Sequence, residues 1–389
     1  MDFALSVEQR MIVETTREFV KRELLPLEAE VQRAELEGTR FPDHETLRKI
    51  QLKGKEAGLW GMLTPEEYGG VDVGLLTTSI IMMETSRALV PFRYGGDADN
   101  VLYAGNEDQR KRYLIPTIEG ERISCFALSE PNTGSDATNI NMAAVQKGAG
   151  WVLNGAKMWI SHGHEADYAI VFAVTDKEKG HRGGITAFLV DRAMGWTSKE
   201  MRVMGSWQAA ELFFENVEVP AENVLGEVGW GFNLAMQWIG QGRIVIPAAA
   251  VGQAQRLLEM AVDYAKERVA FGQPIAEYQA IQWMLADSMV EIEQAKWLVL
   301  HAAWKAQQGK DVRHDASMAK LVGANMAWQV VDRVMQIFGG MGYTKEMPIE
   351  RVMRDMRVYR IYEGTDEIQR RSIARNLLKG HASVASWDR

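Results

Sequence analysis

The spacing of apolar positions changes twice along the chain and divides its 389 residues into three segments. Before about residue 120, and again after about residue 230, apolar residues recur every three or four positions, as in amphipathic helices. Between these limits they alternate with polar residues, as in strands. The four helical runs of the last segment cover 231–268, 277–308, 314–338 and 366–378. The pattern predicts an α+β multidomain fold with an N-terminal helical domain (1–120), a middle β-domain (121–230) and a C-terminal antiparallel helical bundle (231–389).

Local signals mark several element boundaries. Ser6 and Gln9 have the spacing of a capping box and predict a helix start. Residues 64–70 contain a proline and a glycine pair, which predict a loop before a helix near 75–89. In the β segment, Asn154-Gly155 lies between two short apolar runs. This dipeptide predicts the tight turn of a β-hairpin.

Charge and composition narrow the classes of protein. The chain carries 44 Lys and Arg against 52 Asp and Glu, a net charge of −8. This balance disfavours a nucleic-acid partner, because such proteins present a basic surface. The single cysteine, Cys125, excludes an internal disulfide and suits a reducing compartment. Because the first residues lack the features of a signal peptide and no long stretch is apolar and uncharged, we expect a cytoplasmic protein with no membrane span.

Two polar segments in the middle part are candidate ligand-binding sites. Residues 129–136 combine hydroxyls, a glycine and a turn, so their backbone N–H groups suit a phosphate or a polar ring edge. An ordinary polar loop fits the same residues. Trp159 and Ser161 lie two positions apart and project to one face of a strand. That face suits a flat heteroaromatic cofactor, although the two residues alone favour a pair in the core of the sheet.

His162, His164 and Asp167 are the residues of one segment with metal-ligand chemistry. No cysteine or further histidine pair accompanies them, so we predict no metal site. The sequence contains no Walker motif, no Gly-x-Gly-x-x-Gly after a strand and no Gly-x-Ser-x-Gly. Nicotinamide binding in a Rossmann unit and serine hydrolysis are therefore unsupported.

Three charged residues in the helical segment have both a functional and a structural interpretation. Arg243 lies among apolar residues and needs an acceptor, which is either a ligand or a carboxylate of the protein. Arg268 ends a helical run, where a cation complements the helix dipole. Glu363 precedes Gly364 and a helix start, so it is either a catalytic base or a surface acid. The residues alone favour the surface acid.

Taken together, five segments resemble the acyl-CoA dehydrogenase family of flavoproteins. They occur in the family's order and spacing over nearly the whole chain, at 128–136, 155–161, 268–272, 336–340 and 362–370. The resemblance implies an N-terminal helical domain, a middle antiparallel β-domain and a C-terminal four-helix bundle, assembled as a homotetramer. It also implies FAD as cofactor, bound between the β-domain and the bundle and partly by a neighbouring subunit. The implied partners are an acyl-CoA substrate and an electron-transferring flavoprotein or similar acceptor.

The resemblance also assigns roles to residues. Glu363 matches the family's catalytic base, which removes the α-proton of the thioester while hydride passes from the β-carbon to flavin N5, giving the trans-2-enoyl-CoA. The positions that match the acyl-CoA site are Ser135, Gly240, Arg243, Tyr362 and Gly364. The positions that match the cofactor site are Phe126, Leu128, Ser129, Gly134, Ser135, Trp159, Ile160 and Ser161 in the middle segment, and Arg268, Phe271, Tyr278, Gln279, Gln336, Gly339, Gly340, Thr365 and Glu367 in the last.

One departure and three alternatives accompany this interpretation. Some family members carry their base at the position here occupied by Gly242, which strengthens the assignment of the base to Glu363. The alternatives are an acyl-CoA oxidase that uses oxygen, a flavin-dependent monooxygenase of the same fold and a non-catalytic helical scaffold that binds acyl-CoA. The length and branching of the acyl chain stay open.

Overall fold

The computed structural model describes residues 4–206 and 208–384. The outer limits of the predicted domains, residues 1 and 389, lie outside them. Contacts within the chain form two compact units. We call the first the helical unit; it comprises the chain up to Leu63, Val71–Tyr94 and the chain from Gly242 onward. We call the second the sheet unit; it comprises Thr64–Gly70 and Gly95–Gln241.

Four helices open the chain, and polar caps fix where two of them begin. Their bounds are α1 (Val7–Phe19), α2 (Glu28–Glu37), α3 (His44–Glu56) and α4 (Gly74–Ser86). The capping box before α1 is confirmed, because Ser6 and Gln9 each accept a hydrogen bond from the other's backbone N–H. Asp43 caps α3 by accepting from the Thr46 N–H. Phe19, Ile50 and Ile81 bring α1, α3 and α4 into one apolar cluster of the helical unit.

The sheet unit contains two short helices and an eight-stranded sheet. The elements are α5 (Glu107–Gln109), α6 (Ile115–Ile118), β1 (Ser124–Ala127), β2 (Ala143–Lys147), β3 (Gly150–Ser161), β4 (Tyr168–Val174), β5 (Ile185–Asp191), β6 (Thr197–Met201), β7 (Ala209–Val219) and β8 (Val224–Leu225). The strand order is β6-β7-β3-β2-β4-β5-β8, with β1 also paired to β4. Most pairs are antiparallel as expected, but β1 and β2 each run parallel to β4.

Strand β4 is buried on both faces. Ala169 and Val171 contribute to one apolar cluster, while Tyr168, Ile170 and Phe172 contribute to the other. Successive side chains of a strand point to opposite faces, so an apolar run without alternation fills both sides. This central strand anchors the sheet, and strand β3 carries the candidate cofactor residues at the sheet's other half.

The predicted hairpin turn at Asn154-Gly155 is wrong. Strand β3 continues through both residues, and the turn before it joins Lys147 to Gly150 instead. Gly155 has φ +147° at a shift in the β3–β7 register, and a Cβ there would lie 2.8 Å from Met142 Cγ. A bulge with close approach of a side chain therefore explains this glycine, because both features exclude a Cβ.

The remaining elements are helical apart from one small hairpin. They are α7 (Gly231–Glu267), β9 (Val269–Ala270), β10 (Gln273–Pro274), α8 (Gln279–Gln307), α9 (Arg313–Phe338), α10 (Gly340–Tyr343), α11 (Ile349–Arg357) and α12 (Asp366–Leu378). The four predicted helical runs are confirmed with bounds that differ by at most two residues. The pattern missed α11 and the β9–β10 hairpin, which are too short to establish a periodicity.

Helices α7 and α9 approach each other closely at one point. A Cβ on Gly323 of α9 would lie 2.5 Å from Pro247 Cβ of α7, so only glycine fits there. Arg243 lies one turn before Pro247 and Lys320 lies one turn before Gly323. The close contact therefore sets the separation of two cations that both reach the candidate site.

Within the described ranges, no helix has the length and apolar character needed to cross a bilayer.

Candidate active site

The predicted base lies in a backbone turn of unusual conformation. Glu363 has φ +53° and Gly364 has φ +89°, so two successive residues adopt the left-handed region. For a residue with a side chain this conformation is uncommon and strained, and it persists only where the surroundings hold it. The turn ends at Thr365, whose side chain accepts a hydrogen bond from the Ile368 N–H and caps α12.

Three side chains hold the two carbonyl groups of this turn. The Glu363 carbonyl accepts from Arg243 Nε and from Gln369 Nε2, both at 3.0 Å. The Gly364 carbonyl accepts from the same Gln369 amide at 3.0 Å and from Lys320 Nζ at 2.7 Å. We call these three donors, Arg243, Lys320 and Gln369, the carbonyl clamp. They come from α7, α9 and α12, so the tertiary packing of three helices fixes the strained turn.

Glycine is required at position 364 for two reasons. Its φ of +89° disfavours any side chain, and a Cβ would lie 2.7 Å from Gln369 Nε2 and 3.1 Å from an Arg243 guanidinium nitrogen. Arg243 therefore finds its acceptor in a backbone carbonyl of the turn. Burial lowers the pKa of the Arg243 guanidinium, and the Glu363 charge opposes that lowering.

One oxygen of the Glu363 carboxylate is buried and has no hydrogen-bond partner in the part of the chain that the structure describes. This oxygen is Oε2, and Gly242 of α7 lies close to the carboxylate. A Cβ at position 242 would lie 3.2 Å from Glu363 Cδ and 3.3 Å from Oε2. Gly242 thus leaves the space that the carboxylate occupies, and the unpaired oxygen is free to receive a proton.

Burial controls the acidity of this carboxyl group. Loss of solvation raises the pKa of Glu363 to about 7, against opposing contributions from the Arg243 and Lys320 cations. The same burial lowers the pKa of Lys320 to about 8. A carboxyl group with a pKa near neutrality exchanges protons efficiently at the pH of a cell. These surroundings differ from those of a solvated surface acid, and the role of Glu363 as a base stays a prediction.

The other residues of the predicted acyl-CoA site differ in their surroundings. Tyr362 is 37% exposed, and its ring stacks on Tyr359 with centroids 5.9 Å apart. Gly240 lies on α7, where a Cβ would meet no atom within 4 Å. Ser135 is an exposed residue of the sheet unit. Their roles toward substrate stay predictions.

In the sheet unit, the loop and strand predicted to bind a cofactor lie side by side. The Met158 N–H donates to the Ser129 carbonyl at 2.9 Å and joins the loop to β3. Trp159 is 57% exposed with φ +64°, and Ser161 is exposed on the same strand. The two side chains therefore lie outside the core of the sheet. An exposed indole flanked by hydroxyls fits a planar heteroaromatic ring system.

The remaining cofactor candidates of the sheet unit differ in their exposure. Leu128 and Ile160 are core residues, so only their backbone groups are available to a ligand. Phe126 stacks on Trp238 with centroids 4.1 Å apart. Gly134 is exposed, with space around its Cα for a close approach.

A buried ion pair, which the sequence pattern did not reveal, holds this loop. Lys157 of β3 is fully buried and donates to the Glu130 carboxylate and to the Leu128 carbonyl, each at 2.9 Å. Glu130 also accepts from the backbone N–H groups of Asn141 and Met142. A paired, fully hydrogen-bonded charge of this kind is costly to disrupt from one side. The pair fixes the 128–130 segment against the start of β2.

The cofactor candidates of the helical unit are mostly at its surface. Phe271, in the β9–β10 turn, is 99% exposed with φ +50°. A large aromatic residue held at the surface in a strained turn is a sign of an interaction site. Tyr278 supports the turn by donating to the Ala270 carbonyl at 2.8 Å. Exposed positions are also found at Arg268, Gln279, Gln336, Gly339, Gly340 and Glu367.

His162 is engaged by Glu165, with 2.5 Å between Nδ1 and Oε1. In the part of the chain that the structure describes, no three His, Cys, Asp or Glu side chains form a group that could hold a metal ion.

Comparison with known proteins assigns this arrangement to a family. Three models of acyl-CoA dehydrogenase domains match the chain: the N-terminal domain at residues 6–121, the middle domain at 125–217 and the C-terminal domain at 229–378. The chain belongs to the acyl-CoA dehydrogenase family. Members of this family are FAD-dependent flavoprotein oxidoreductases, and the chain is an acyl-CoA dehydrogenase by this membership.

Individual relatives are similar over nearly their whole length. The human mitochondrial short-chain specific acyl-CoA dehydrogenase is 40% identical over 385 residues, which are 96% of this chain and 91% of the human protein. The structure of butyryl-CoA dehydrogenase from Megasphaera elsdenii is 36% identical with a TM-score of 0.86, covering 97% of this chain and 100% of that one. A chain solved in work on the electron transferring flavoprotein of Acidaminococcus fermentans is 39% identical with a TM-score of 0.86, at the same coverage.

Of the three residues of the carbonyl clamp, the resemblance to the acyl-CoA dehydrogenase family identified only Arg243. Gln369 and Lys320 were not predicted, although each donates to the turn that carries the base. Gln369 lies three residues after Asp366 on the first turns of α12, and Lys320 lies on the long helix α9. Lysine and glutamine side chains are normally exposed to solvent, so their burial indicates a specific role for Lys320 and Gln369. That burial is seen only in the structure.

Proposed function

We propose that this acyl-CoA dehydrogenase oxidises an acyl-CoA thioester to the trans-2-enoyl-CoA, with Glu363 as the base that removes the α-proton. The observation that carries the proposal is the Glu363 carboxylate, whose Oε2 is buried without a partner among the described residues and whose pKa is raised to about 7 by burial. A surface acid would have neither property.

The base acts in its ionised form. Near pH 7 a group with this pKa is divided between carboxylate and carboxylic acid, and the carboxylate accepts the α-proton. Arg243 and Lys320 keep the carboxylate populated, because both cations oppose the effect of burial. The activity should therefore rise with pH through about 7, where the acid limb of the kcat/KM profile reports the free enzyme's base.

The α-proton of a thioester is weakly acidic, so its removal needs help at the carbonyl oxygen. The backbone N–H at the base is a candidate donor for that oxygen, because donors aimed at developing charge lower the barrier most effectively. The carbonyl clamp holds the two peptide groups that follow this N–H, and the strained conformation of Glu363 is thereby kept rigid. A preorganised donor needs no rearrangement during the reaction.

The residues of the sheet unit fit the FAD that the family uses. Ser129, Ser135 and Ser161 offer hydroxyls and Trp159 an exposed aromatic face, and we propose that these side chains contact the cofactor. When bound, FAD supplies the acceptor for the hydride that leaves the β-carbon. Loss of one proton to Glu363 and one hydride to the acceptor accounts for both hydrogens removed from the substrate.

A single variant tests the base assignment. Glu363→Gln keeps the size of the side chain but cannot accept a proton, and we expect FAD and acyl-CoA binding to persist while turnover falls by about 10²-fold or more. Glu346→Gln, an exposed glutamate of the same unit, is the control. Near-normal turnover of Glu363→Gln would refute the assignment.

The substrate and the electron acceptor are tested together. Since relatives are named for short-chain acyl-CoA or butyryl-CoA, we propose a short acyl chain for this protein. Anaerobic bleaching of the flavin by a panel of acyl-CoAs measures the preference, and each methylene is worth about fourfold in affinity, or about 0.8 kcal/mol. We propose an electron-transferring flavoprotein as the acceptor. Rapid reoxidation by oxygen in the presence of product would identify an oxidase instead.

We also propose a homotetramer, the assembly typical of the family. Helix α8 exposes an apolar stripe at seven-residue spacing, formed by Trp283, Val290, Trp297 and Trp304. Such a stripe is unusual for the surface of an isolated chain and suits helix packing between subunits. Light scattering should give four times the 43.7 kDa of one chain, and a mass of one chain would contradict the proposal.

A further inference from the structure

Three lysines are buried in this protein's described residues, and one of them differs from the others. Lys157 and Lys305 each pair with a carboxylate, Glu130 at 2.9 Å and Asp315 at 2.7 Å. Lys320 is fully buried but forms no such pair within 4.0 Å among these residues, and its ammonium instead donates to the Gly364 carbonyl at 2.7 Å. Burying a lysine without a paired carboxylate is costly, so the position calls for an explanation.

The carboxylate whose charge acts most strongly on Lys320 is engaged elsewhere. Asp366, at the start of α12, accepts from Arg360 Nε at 2.8 Å and from Asn325 Nδ2 at 3.0 Å. Its charge still favours the ammonium form of Lys320 through space, while the Arg243 charge opposes it and the Glu363 charge adds a smaller favourable contribution. The ammonium is thus directed to the backbone of the residue after the base, while acidic groups lie close enough to keep it protonated.

A hydrogen bond to a carbonyl does not need a cation, because Gln369 makes the same contact with an uncharged amide. What the lysine adds is a fixed positive charge beside the base, on the side of α9. Arg243 provides the corresponding charge from α7. The two cations and the amide together resist relaxation of a turn whose φ of +53° at Glu363 is strained.

We propose that Lys320 is a positioning residue for the base: its ammonium holds the Gly364 carbonyl, and with it the left-handed turn that directs the Glu363 carboxylate. The inference rests on the proposed role of Glu363 as base. Lys320 has no predicted contact with substrate or cofactor, so its effect on catalysis passes through Glu363.

The charge of Lys320 has a second consequence. The groups that act on Glu363 are Arg243 from α7 and Lys320 from α9. Lys320 is in turn acted on by Asp366 and Glu367 of α12 and by Arg243. Removal of the Lys320 cation leaves Arg243 as the remaining opposing charge. The acid limb of kcat/KM should then move to higher pH.

The test uses the FAD-loaded enzyme with Lys320→Met, which keeps the length of the side chain but removes its charge and hydrogen bond. We expect kcat to fall about tenfold or more with KM within about threefold, since the turn loses a donor and the base its alignment. Lys320→Arg should restore the position of the acid limb. Lys305→Met is the matched control, because it also removes a buried lysine but lies at Asp315 rather than at the base. It should lower Tm and leave the limb unchanged.

Lys320→Met with the parent's kcat and acid limb would overturn the proposal, as would an equal change in Lys305→Met. If Lys320→Met does not fold, Lys320→Gln, which can still donate, replaces it and must show the same shift of the limb. A second readout does not depend on turnover. The Tm of Glu363→Gln minus that of its parent is measured across pH, once in the wild-type background and once in the Lys320→Met background. If this difference depends on pH equally in both backgrounds, Lys320 does not affect the pKa of Glu363 and the proposal is refuted. Retained turnover of Glu363→Gln is a separate outcome, which would show that another residue is the base.

Discussion

The pKa of Glu363 makes the stability of the protein depend on pH, and replacing this residue should remove that dependence. Burial raises the pKa from 4.5 to about 7, so the folded chain binds the proton more tightly than the unfolded chain does. The folded state is therefore favoured when the group is protonated. As pH rises from 4.5 through 7, the folded state loses stability relative to the unfolded state, and above pH 7 the loss is complete.

The size of the effect follows from the two pKa values. One pKa unit corresponds to about 1.4 kcal/mol, so the complete loss is about 3 kcal/mol, of which about 2 kcal/mol falls between pH 5.5 and 8.5. With about 2.1 cal/mol/K of unfolding entropy per residue, a chain of 389 residues converts this into about 2–3 °C of Tm. Glu363→Gln cannot titrate and escapes the loss.

The assay is differential scanning fluorimetry of Glu363→Gln and the parent, both loaded with FAD, across this pH range. The Tm of the variant minus that of the parent should increase by about 2–3 °C from pH 5.5 to 8.5. Glu346→Gln, at an exposed position, should give a constant difference. A constant difference for Glu363→Gln, or one that decreases with pH, would show that the carboxylate is not held in the enclosed, unpaired state.

Three further predictions follow from other contacts. Gly242→Ala should lower kcat about tenfold, because its Cβ would lie 3.3 Å from Glu363 Oε2 and displace the carboxylate. Its Tm should be retained, because alanine favours a helix more than glycine does, and an unchanged kcat would contradict this packing. Arg268→Ala should weaken FAD retention, measured as the flavin-to-protein absorbance ratio after dialysis, and the exposed Arg371→Ala should not. Lys157→Met should cost about 3–5 kcal/mol by leaving Glu130 buried and unpaired, and a wild-type Tm would refute the buried pair.

Sequence patterns located the long helices because their apolar periodicity persists over many turns. They failed at Gly155, where an Asn-Gly pair that is typical of a hairpin turn lies inside strand β3. The local signal was overruled by a neighbour distant in sequence, Met142, whose side chain occupies the place of a Cβ. A local turn signal is reliable only where no tertiary contact requires the same residue type for another reason.

The candidate site likewise contains residues that the sequence identified and residues that only the structure reveals. Glu363 and Gly364 were identified through the resemblance to a family, and the structure adds the reason for the glycine: a positive φ and the close Gln369 amide. Arg243 was expected to be buried because apolar residues surround it. Lys320 also lies among apolar residues in the sequence, but its role depends on the approach of α7 to α9 at Pro247 and Gly323, which only the structure shows.

The left-handed backbone at Glu363 has a consequence for protein engineering. Its φ of +53° is a conformation that glycine or asparagine adopts with less strain, so physical stability favours those residues at this position. Glutamate is present against that preference, and burial of its charge adds to the penalty. A search for heat-resistant variants that scores only folding should therefore choose Glu363→Gly early and yield a sturdier protein without its reactive carboxylate. Selection for thermostability in this protein must therefore keep glutamate fixed at position 363.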